Sequence, residues 1–328
     1  MYKNKINSPL KLIARAAVMA SVFAVGAMNV TPSIAAVPMA KFVAPGFFRL
    51  MVGDFEVTAL SDGTADLPVD KLLQEDAAKT DTALGRVFLK SPMETSVNAY
   101  LINTGTKLVL IDTGAGVLFG PTLGKLLGNL QAAGYRPDQV DEVLLTHMHP
   151  DHEGGLAKDG KAVFPNAVVR GDQRDADYWL TQANMDKAPA DAKGFFQGAM
   201  SSLQPYVAAH TYRPFKGDTQ LLPGISSVQG YGHTAGHTAY AIESKGQKFL
   251  VSGDLIHVPA VQLDHPEVTI SFDTDGKVAV QSRERLFNEA AKNGELVAAA
   301  HMPFPGLGHI RADGKKYEWI PVNFTQMR

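Results

Sequence analysis

The segment "LLTHMHPDHEGG" (144–155) places His147, His149, Asp151 and His152 within six residues at the end of an apolar run. Imidazole and carboxylate are the side chains that bind divalent metals or move protons near neutral pH. Three more residues follow the same local plan, an apolar run that delivers one chemical group and then turns: His233 in "GYGHTAGH", Asp254 in "VSGDLI" and His301 in "AAAHMPF". The chain has no cysteine, which excludes thiolate ligands, disulfides and a cysteine nucleophile. Five histidines and two aspartates are too many for one tetrahedral ion and suit two. The reading is His147, His149 and His233 on one ion, and Asp151, His152 and His301 on the other, with Asp254 bridging. Sets of three leave coordination positions open, which marks a catalytic site over a structural one.

The elements that must position these groups alternate between strands and helices. "FEVTALSDG" (55–63), "SVNAYLINTG" (96–105) and "KLVLIDTG" (107–114) read as strands, the last two joined in a hairpin at Gly105. "GPTLGKLLGNLQAAGY" (120–135) has helical spacing and closes at Gly134, and "VDEVLLT" (140–146) is a buried strand that delivers the histidine cluster. His147 and His149, two apart at its end, point the same way, and Pro150 turns the chain. The second half repeats this grammar. "AVVRGD" (167–172) is a strand, "QRDADYWL" (173–180) a short helix, and an irregular stretch runs to Gln204. "SVQGYGHTAGHTAYAIE" (227–243), "KFLVSGDLI" (248–256) and "ELVAAAHMPF" (295–304) read as strands, and "RERLFNEAAKNG" (283–294) as a helix ending at Gly294. Two β-then-α halves predict two packed sheets with helices outside, in one domain over 36–328.

The remaining composition sets bounds. The chain has 328 residues, is 45% hydrophobic and 20% charged, and carries a net charge of −2, so no electrostatic footprint for nucleic acid or anionic lipid is present. Lys3, Lys5, Lys11 and Arg15 precede an apolar run over 16–28 and the small residues "PSIAAV" (32–37). That is the order of a secretory signal peptide over 1–35, cut near Ala35 or Ala36, which predicts a periplasmic or secreted protein with no membrane contact after processing. The run is too short to span a bilayer comfortably.

His147, His149, Asp151 and His152 match the H-x-H-x-D-H motif of the metallo-β-lactamase-fold hydrolases, which the chain resembles over essentially all of its mature length. The resemblance carries the later His, Asp and His onto His233, Asp254 and His301, and the aspartate that steadies the ligand loop onto Asp112. It implies an α/β fold, an αββα sandwich with two divalent metals at the sheet edge. Zinc is the expected ion, with cobalt, manganese and iron compatible. Two ions about 3.5–4 Å apart share a bridging hydroxide that attacks a carbonyl or phosphoryl centre, and Asp151 could pass a proton to the leaving group. Asp151 and Asp254 are therefore the expected catalytic residues. A non-catalytic metal-binding protein would gain nothing from open coordination positions.

Branches of this family separate by residue. Flavo-di-iron relatives place Glu where this chain has His149, and β-lactamases place Cys or Ser where it has Asp254. Glyoxalase-II-like thioesterases carry a basic C-terminal clasp for which "WIPVNFTQMR" offers little, and nuclease relatives lack support from the charge balance. "DFEVTALSDGT", "ETSVNAYLINTG", "DTGAGVLFGPTLG", "FPNAVVRGDQ", "KGFFQGAM" and "HMPFPGLGHIRADGK" resemble the branch of methyl parathion hydrolases and related dihydrocoumarin (aryl-lactone) hydrolases. That resemblance implies a homodimer and assigns Phe119, Trp179 and Phe195 to an aromatic wall for the substrate ring. Phosphotriesterase members carry Arg, Leu, Thr and Leu where this chain has Leu72, His257, Ile270 and Phe272, and their segment matching "PADAKGFF" (189–196) is one residue longer. Ile270 and Phe272 fill the pocket and His257 can donate toward a lactone oxygen. The expectation is an aryl lactonase with organophosphate hydrolysis as a side reaction; a phosphotriesterase is the alternative. His210 and His265 are expected on the surface, and His237 and His309 as hydrogen-bonding neighbours of the site.

Overall fold

The computed structural model describes residues 44–325 and Met39. The expected signal peptide and its cleavage site lie outside the described residues. The first sheet opens with the antiparallel strands β1 (Phe47–Val52) and β2 (Phe55–Leu67). The short helices α1 (Val69–Leu72) and α2 (Ala77–Arg86) interrupt it before β3 (Met93–Asn103) and β4 (Leu108–Ile111) close the hairpin at Gly105. After α3 (Leu126–Ala132) comes β5 (Glu142–Leu144), parallel to β4. A helical turn, α4 (Pro150–Glu153), and a small hairpin of β6 (Ala157–Lys158) and β7 (Lys161–Ala162) lead to β8 (Val168–Arg170), parallel to β5.

Three helices follow: α5 (Gln173–Trp179), α6 (Gln182–Lys187) and α7 (Lys193–Ala208). The second sheet is built from β9 (Thr219–Leu222), β10 (Ile225–Gln229), β11 (Thr238–Ser244) and β12 (Gln247–Val251). Helices α8 (Pro259–Gln262) and α9 (Gly276–Asn293) then precede β13 (Leu296–Ala298), β14 (Leu307–Asp313) and β15 (Lys316–Pro321). The sheets run β1-β2-β3-β4-β5-β8 and β15-β14-β13-β12-β11-β10-β9.

Alternation along the strands explains the layering, because successive side chains point to opposite faces. In β3 and β4, Tyr100, Ile102, Val109 and Ile111 join Tyr240, Phe249 and Val251 of the other sheet in one core. Their neighbours Ala99, Leu101, Leu108 and Leu110 face outward onto Leu126 and Leu130 of α3 and Phe196 and Leu203 of α7. In the second sheet Leu250 and Val297 turn out to meet Leu286, Phe287 and Ala290 of α9. The result is the expected αββα sandwich. The parallel pairs β4–β5 and β12–β13, one in each sheet, run toward the same kind of strand end, and the candidate ligands sit there.

Several expected elements shift. Residues 120–125 form turns, and the helix is confined to α3, because Gly120 and Gly124 adopt left-handed φ of 80° and 77°. The stretch read as irregular holds α6 and the sixteen-residue α7, which ends its first apolar turn against α5. The run 227–243 is two strands with the His233 loop between them, and 295–304 leaves the sheet after Ala298. Helix α9 begins seven residues before Arg283, capped by Asp275 accepting from Val278 N, and stops at Gly294 in the left-handed conformation.

Candidate metal centre and substrate cleft

Each expected ligand leaves a strand end for a loop that the sheet holds in place. His147 and His149 follow β5, with their rings 4.5 Å apart. His149 is the residue before Pro150 at the first position of α4, so Asp151 and His152 are carried in a single helical turn. His233 lies between β10 and β11, Asp254 beyond β12 and His301 beyond β13. Two of these are preceded by glycine at positive φ. A Cβ at Gly232 (φ 120°) would stand 2.1 Å from Ala279 N, and one at Gly253 (φ 56°) 2.6 Å from His237 Nε2. The turns that present His233 and Asp254 therefore require glycine.

All seven groups converge. Asp254 Oδ2 lies 3.0 Å from His301 Nε2, 3.3 Å from His233 Nε2 and 3.7 Å from His147 Nε2, and its Oδ1 lies 3.3 Å from His152 Nε2. His233 Nε2 and His149 Nδ1 are 3.1 Å apart, and Asp151 Oδ2 is 3.5 Å from both His152 Nε2 and His301 Nε2. Donor atoms of His147, His149 and His233 form one compact set, and those of Asp151, His152 and His301 another. Asp254 is central to both. The central atoms are left without ordinary partners: His147 Nε2, His152 Nε2 and Asp254 Oδ1 are buried and make no hydrogen bond. Unsatisfied buried polar atoms are costly, and divalent cations between them would satisfy all three. The residues fit a two-metal centre.

The outer nitrogens are fixed by hydrogen bonds, as ligating imidazoles require. His152 Nδ1 faces Asp112 Oδ2 at 2.9 Å, His233 Nδ1 faces Asp273 Oδ1 at 2.9 Å, and His301 Nδ1 faces Ser96 O at 2.9 Å. Asp112, itself at φ 61°, also accepts from Thr146 N and Thr146 Oγ1, so it holds the loop that carries His147. Charge follows burial. Desolvation holds the imidazoles of His147 and His149 well below their usual value, aided by neighbouring imidazoles. Burial also opposes the charge on His152 and His233. The carboxylates of Asp254, Asp151 and Asp112 nevertheless carry His152 well above its usual value, and Asp254 and Asp273 carry His233 to about 9. Burial opposes the charge on Asp254, and the surrounding imidazoles overcome it and keep the carboxylate ionised.

Beside the centre lies a cleft of about 270 Å³ lined by Phe119, Phe195, Phe272, Leu67, Val97 and Leu123 above His149, Asp151, Asp254 and His301. Phe119 and Phe195 meet edge to face at 6.4 Å. His257 also lines the cleft, with Nε2 3.1 Å from Asp254 Oδ2. Three expected pocket residues stand elsewhere. Trp179 is buried behind the wall, stacked on Phe195 at 6.3 Å and edge-on to His149 at 5.4 Å. Ile270 is 1% exposed, in a core with Val69 and Leu73, and Leu72 packs against the same core. Ile270 pairs with Leu73 through an isolated bridge at this core, while Phe272, which packs against the same core, also lines the cleft. His309 is a further correction: it is exposed on β14 and bonds Glu295 O. His237 lies where expected, its Nε2 accepting from Asp254 N, while His265 and His210 are exposed.

Residues that the sequence did not single out complete the site. Glu153 directly follows the motif, is fully buried, and is pushed up to about 8 by desolvation. Arg283 is buried on α9 and donates to Leu255 O, Pro266 O and Val268 O, pinning the segment that carries His257 and Phe272. Asp62 accepts from Ala115 N, Gly124 N and Leu126 N and so shapes the loop that holds Phe119.

Comparison with known proteins agrees with this geometry. Residues 93–301 match the metallo-beta-lactamase superfamily model. A solved hydrolase named AbOPH, of the beta lactamase superfamily, superposes with a TM-score of 0.82 at 38% identity, over 87% of this chain and 100% of that one. AidC, a dizinc quorum-quenching lactonase solved with the product N-hexanoyl-L-homoserine, superposes with a TM-score of 0.79 at 28% identity, over 86% and 99%. An N-acyl homoserine lactonase of a Bacillus species is 22% identical over 230 residues, 64% of this chain and 82% of that one. Three other curated relatives match over 59 to 73 residues, where the match spans 16–21% of their own length.

Proposed function

The chain belongs to the metallo-beta-lactamase superfamily and is a metal-dependent hydrolase; on that premise we propose that its substrates are lactones fused to a flat aromatic ring, of the dihydrocoumarin type. Phosphotriesters of the methyl parathion type are a weaker side reaction in this reading. The observation that carries it is the cleft: Phe119, Phe195 and Phe272 surround the approach to Asp254, and among the described residues no lysine or arginine lines it. A cleft of that kind favours a neutral, flat, apolar substrate over an anionic one.

His147, His149 and His233 would hold one ion, Asp151, His152 and His301 the other, with Asp254 between them. When bound, such a pair supplies Lewis acidity and a water acidified toward neutrality. The protein's own groups do the rest. The phenylalanine rings hold the aryl ring and displace water from it. Asp151, with 18% of its side chain exposed, faces the cleft and can hold the proton that the departing phenoxide oxygen must receive. His257 lines the cleft with Nε2 3.1 Å from Asp254 Oδ2, which sets its ring beside the position a ring oxygen would take. A second reading, N-acyl homoserine lactones, is favoured by the likeness to AidC. Export to the periplasm, resting on residues 3–37 alone, belongs to the same proposal, as does a homodimer.

The test is initial rates of the zinc-loaded protein on dihydrocoumarin, N-hexanoyl homoserine lactone and methyl parathion. The expected order of kcat/KM is dihydrocoumarin first and methyl parathion last. Preference for the acyl lactone would move the assignment to the second reading. Preference for the phosphotriester would overturn the lactone assignment.

A further inference from the structure

We infer that Asp175, a residue outside the ligand loops, is a positioning residue for one of the two metal sites, acting beside Asp273 on His233 and Asp112 on Thr146. It sits on α5 and is 1% exposed. Its Oδ2 accepts from Met148 N at 3.1 Å and from Thr234 Oγ1 at 2.8 Å, and its Oδ1 accepts from Gly236 N at 2.6 Å. Met148 lies between His147 and His149, and Thr234 follows His233. One carboxylate thus ties the loop after β5 to the loop between β10 and β11, which together supply His147, His149 and His233. The fit is close on both sides. A Cβ at Gly236 would stand 2.9 Å from Asp175 Oδ1, so the loop can approach the carboxylate only as glycine.

The other set of ligands is held by different groups. His152 is oriented by Asp112, and His301 by Ser96 O. Asp175 bonds to neither, nor to Asp151. Loss of its three hydrogen bonds should let the two loops drift relative to each other while Asp151, His152 and His301 keep their arrangement. Changes to groups that orient metal ligands typically cost about 10–100-fold in affinity.

This rests on the dinuclear reading, and the experiment separates the two. Metal-free wild-type, Asp175→Asn and Asp175→Ala proteins are titrated with zinc against a chromophoric chelator, and folding is checked by circular dichroism. Asn matches Asp in size and keeps one acceptor for Gly236 N, so it carries the test if the alanine variant fails to fold. The expected result is two ions in the wild type and, in folded Asp175→Asn, one ion weakened about 10–100-fold with the other unchanged. Cobalt substitution should show the absorption of one site altered and the other retained. Two unaltered affinities in a folded variant would overturn the inference alone, and so would equal weakening of both ions. A wild type that takes up fewer than two ions would overturn the inference together with the dinuclear reading.

Discussion

The metal centre and the cleft beside it share His149, Asp151, Asp254 and His301, yet they are held by different physics. In the centre, imidazoles are 1–7% exposed and most have an outer nitrogen fixed by a partner from another element. The cleft wall is looser. Phe119 is 45% exposed and follows Val117 and Leu118, 71% and 38% exposed, in a loop with no strand partner. The difference teaches where each property resides. A hydrogen-bonded, buried centre fixes the reaction, and a wall with two of its three rings, Phe119 and Phe272, outside helices and strands can change substrate without disturbing it.

That contrast can be broken by substitution. Asp254→Ala removes the group central to both sets and should lose bound metal together with on the order of 10³-fold in kcat, about 4 kcal/mol of transition-state stabilisation. Metal analysis alongside the rate checks it; full metal content with such a loss would separate chemistry from binding. Arg283→Ala removes the buried donor to Leu255 O and Pro266 O and leaves Val268 O with Gln262 Nε2 alone. The expected cost is about 3 kcal/mol in denaturant unfolding. Its kinetic effect should fall on KM, because the pinned segment carries the wall.

Phe195→Ala opens the wall and removes one edge-to-face contact with the His149 ring, at 5.4 Å, while every ligand side chain stays in place. It should reduce kcat/KM for dihydrocoumarin about tenfold, within the range for one apolar contact, and leave zinc stoichiometry at the wild-type value. Loss of metal in this variant would show that wall and centre are not separable. The smallest effect concerns Ile270→Thr. The side chain is buried away from the cleft, so a hydroxyl there should cost about 1–2 kcal/mol of stability, with the lactone-to-phosphotriester rate ratio changed less than about twofold. A large change in that ratio would return residue 270 to the pocket.

The contrast also governs what could be read from the chain. The ligands were legible because each sits in a short local pattern, an apolar run followed by His or Asp and a turn, and because Asp112 has the same address after β4. The groups that fix them were not. Asp175, Asp273 and Arg283 lie on other elements, and nothing local distinguishes a buried aspartate that accepts three hydrogen bonds from an exposed one. Glu153 stood next to the motif but had no partner in sequence to suggest burial. Phe272 and Ile270 are two residues apart and both apolar, and only the tertiary packing, with Ile270 paired to Leu73 in a buried core, separates the one that lines the cleft from the one that does not. Helix α7 was hidden because Gly194, Gly198 and Pro205 weaken its helical signature, while packing of Phe196, Ala199 and Leu203 on the first sheet overrides it.

The central claim is that hydrolysis depends on two divalent ions held by this cluster. Stepwise addition of zinc to the metal-free protein, with dihydrocoumarin hydrolysis followed at each step, tests it most directly. Activity should be absent without metal and should reach its plateau at two ions per chain. Turnover that survives complete metal removal, or a full plateau with no bound zinc, would contradict it.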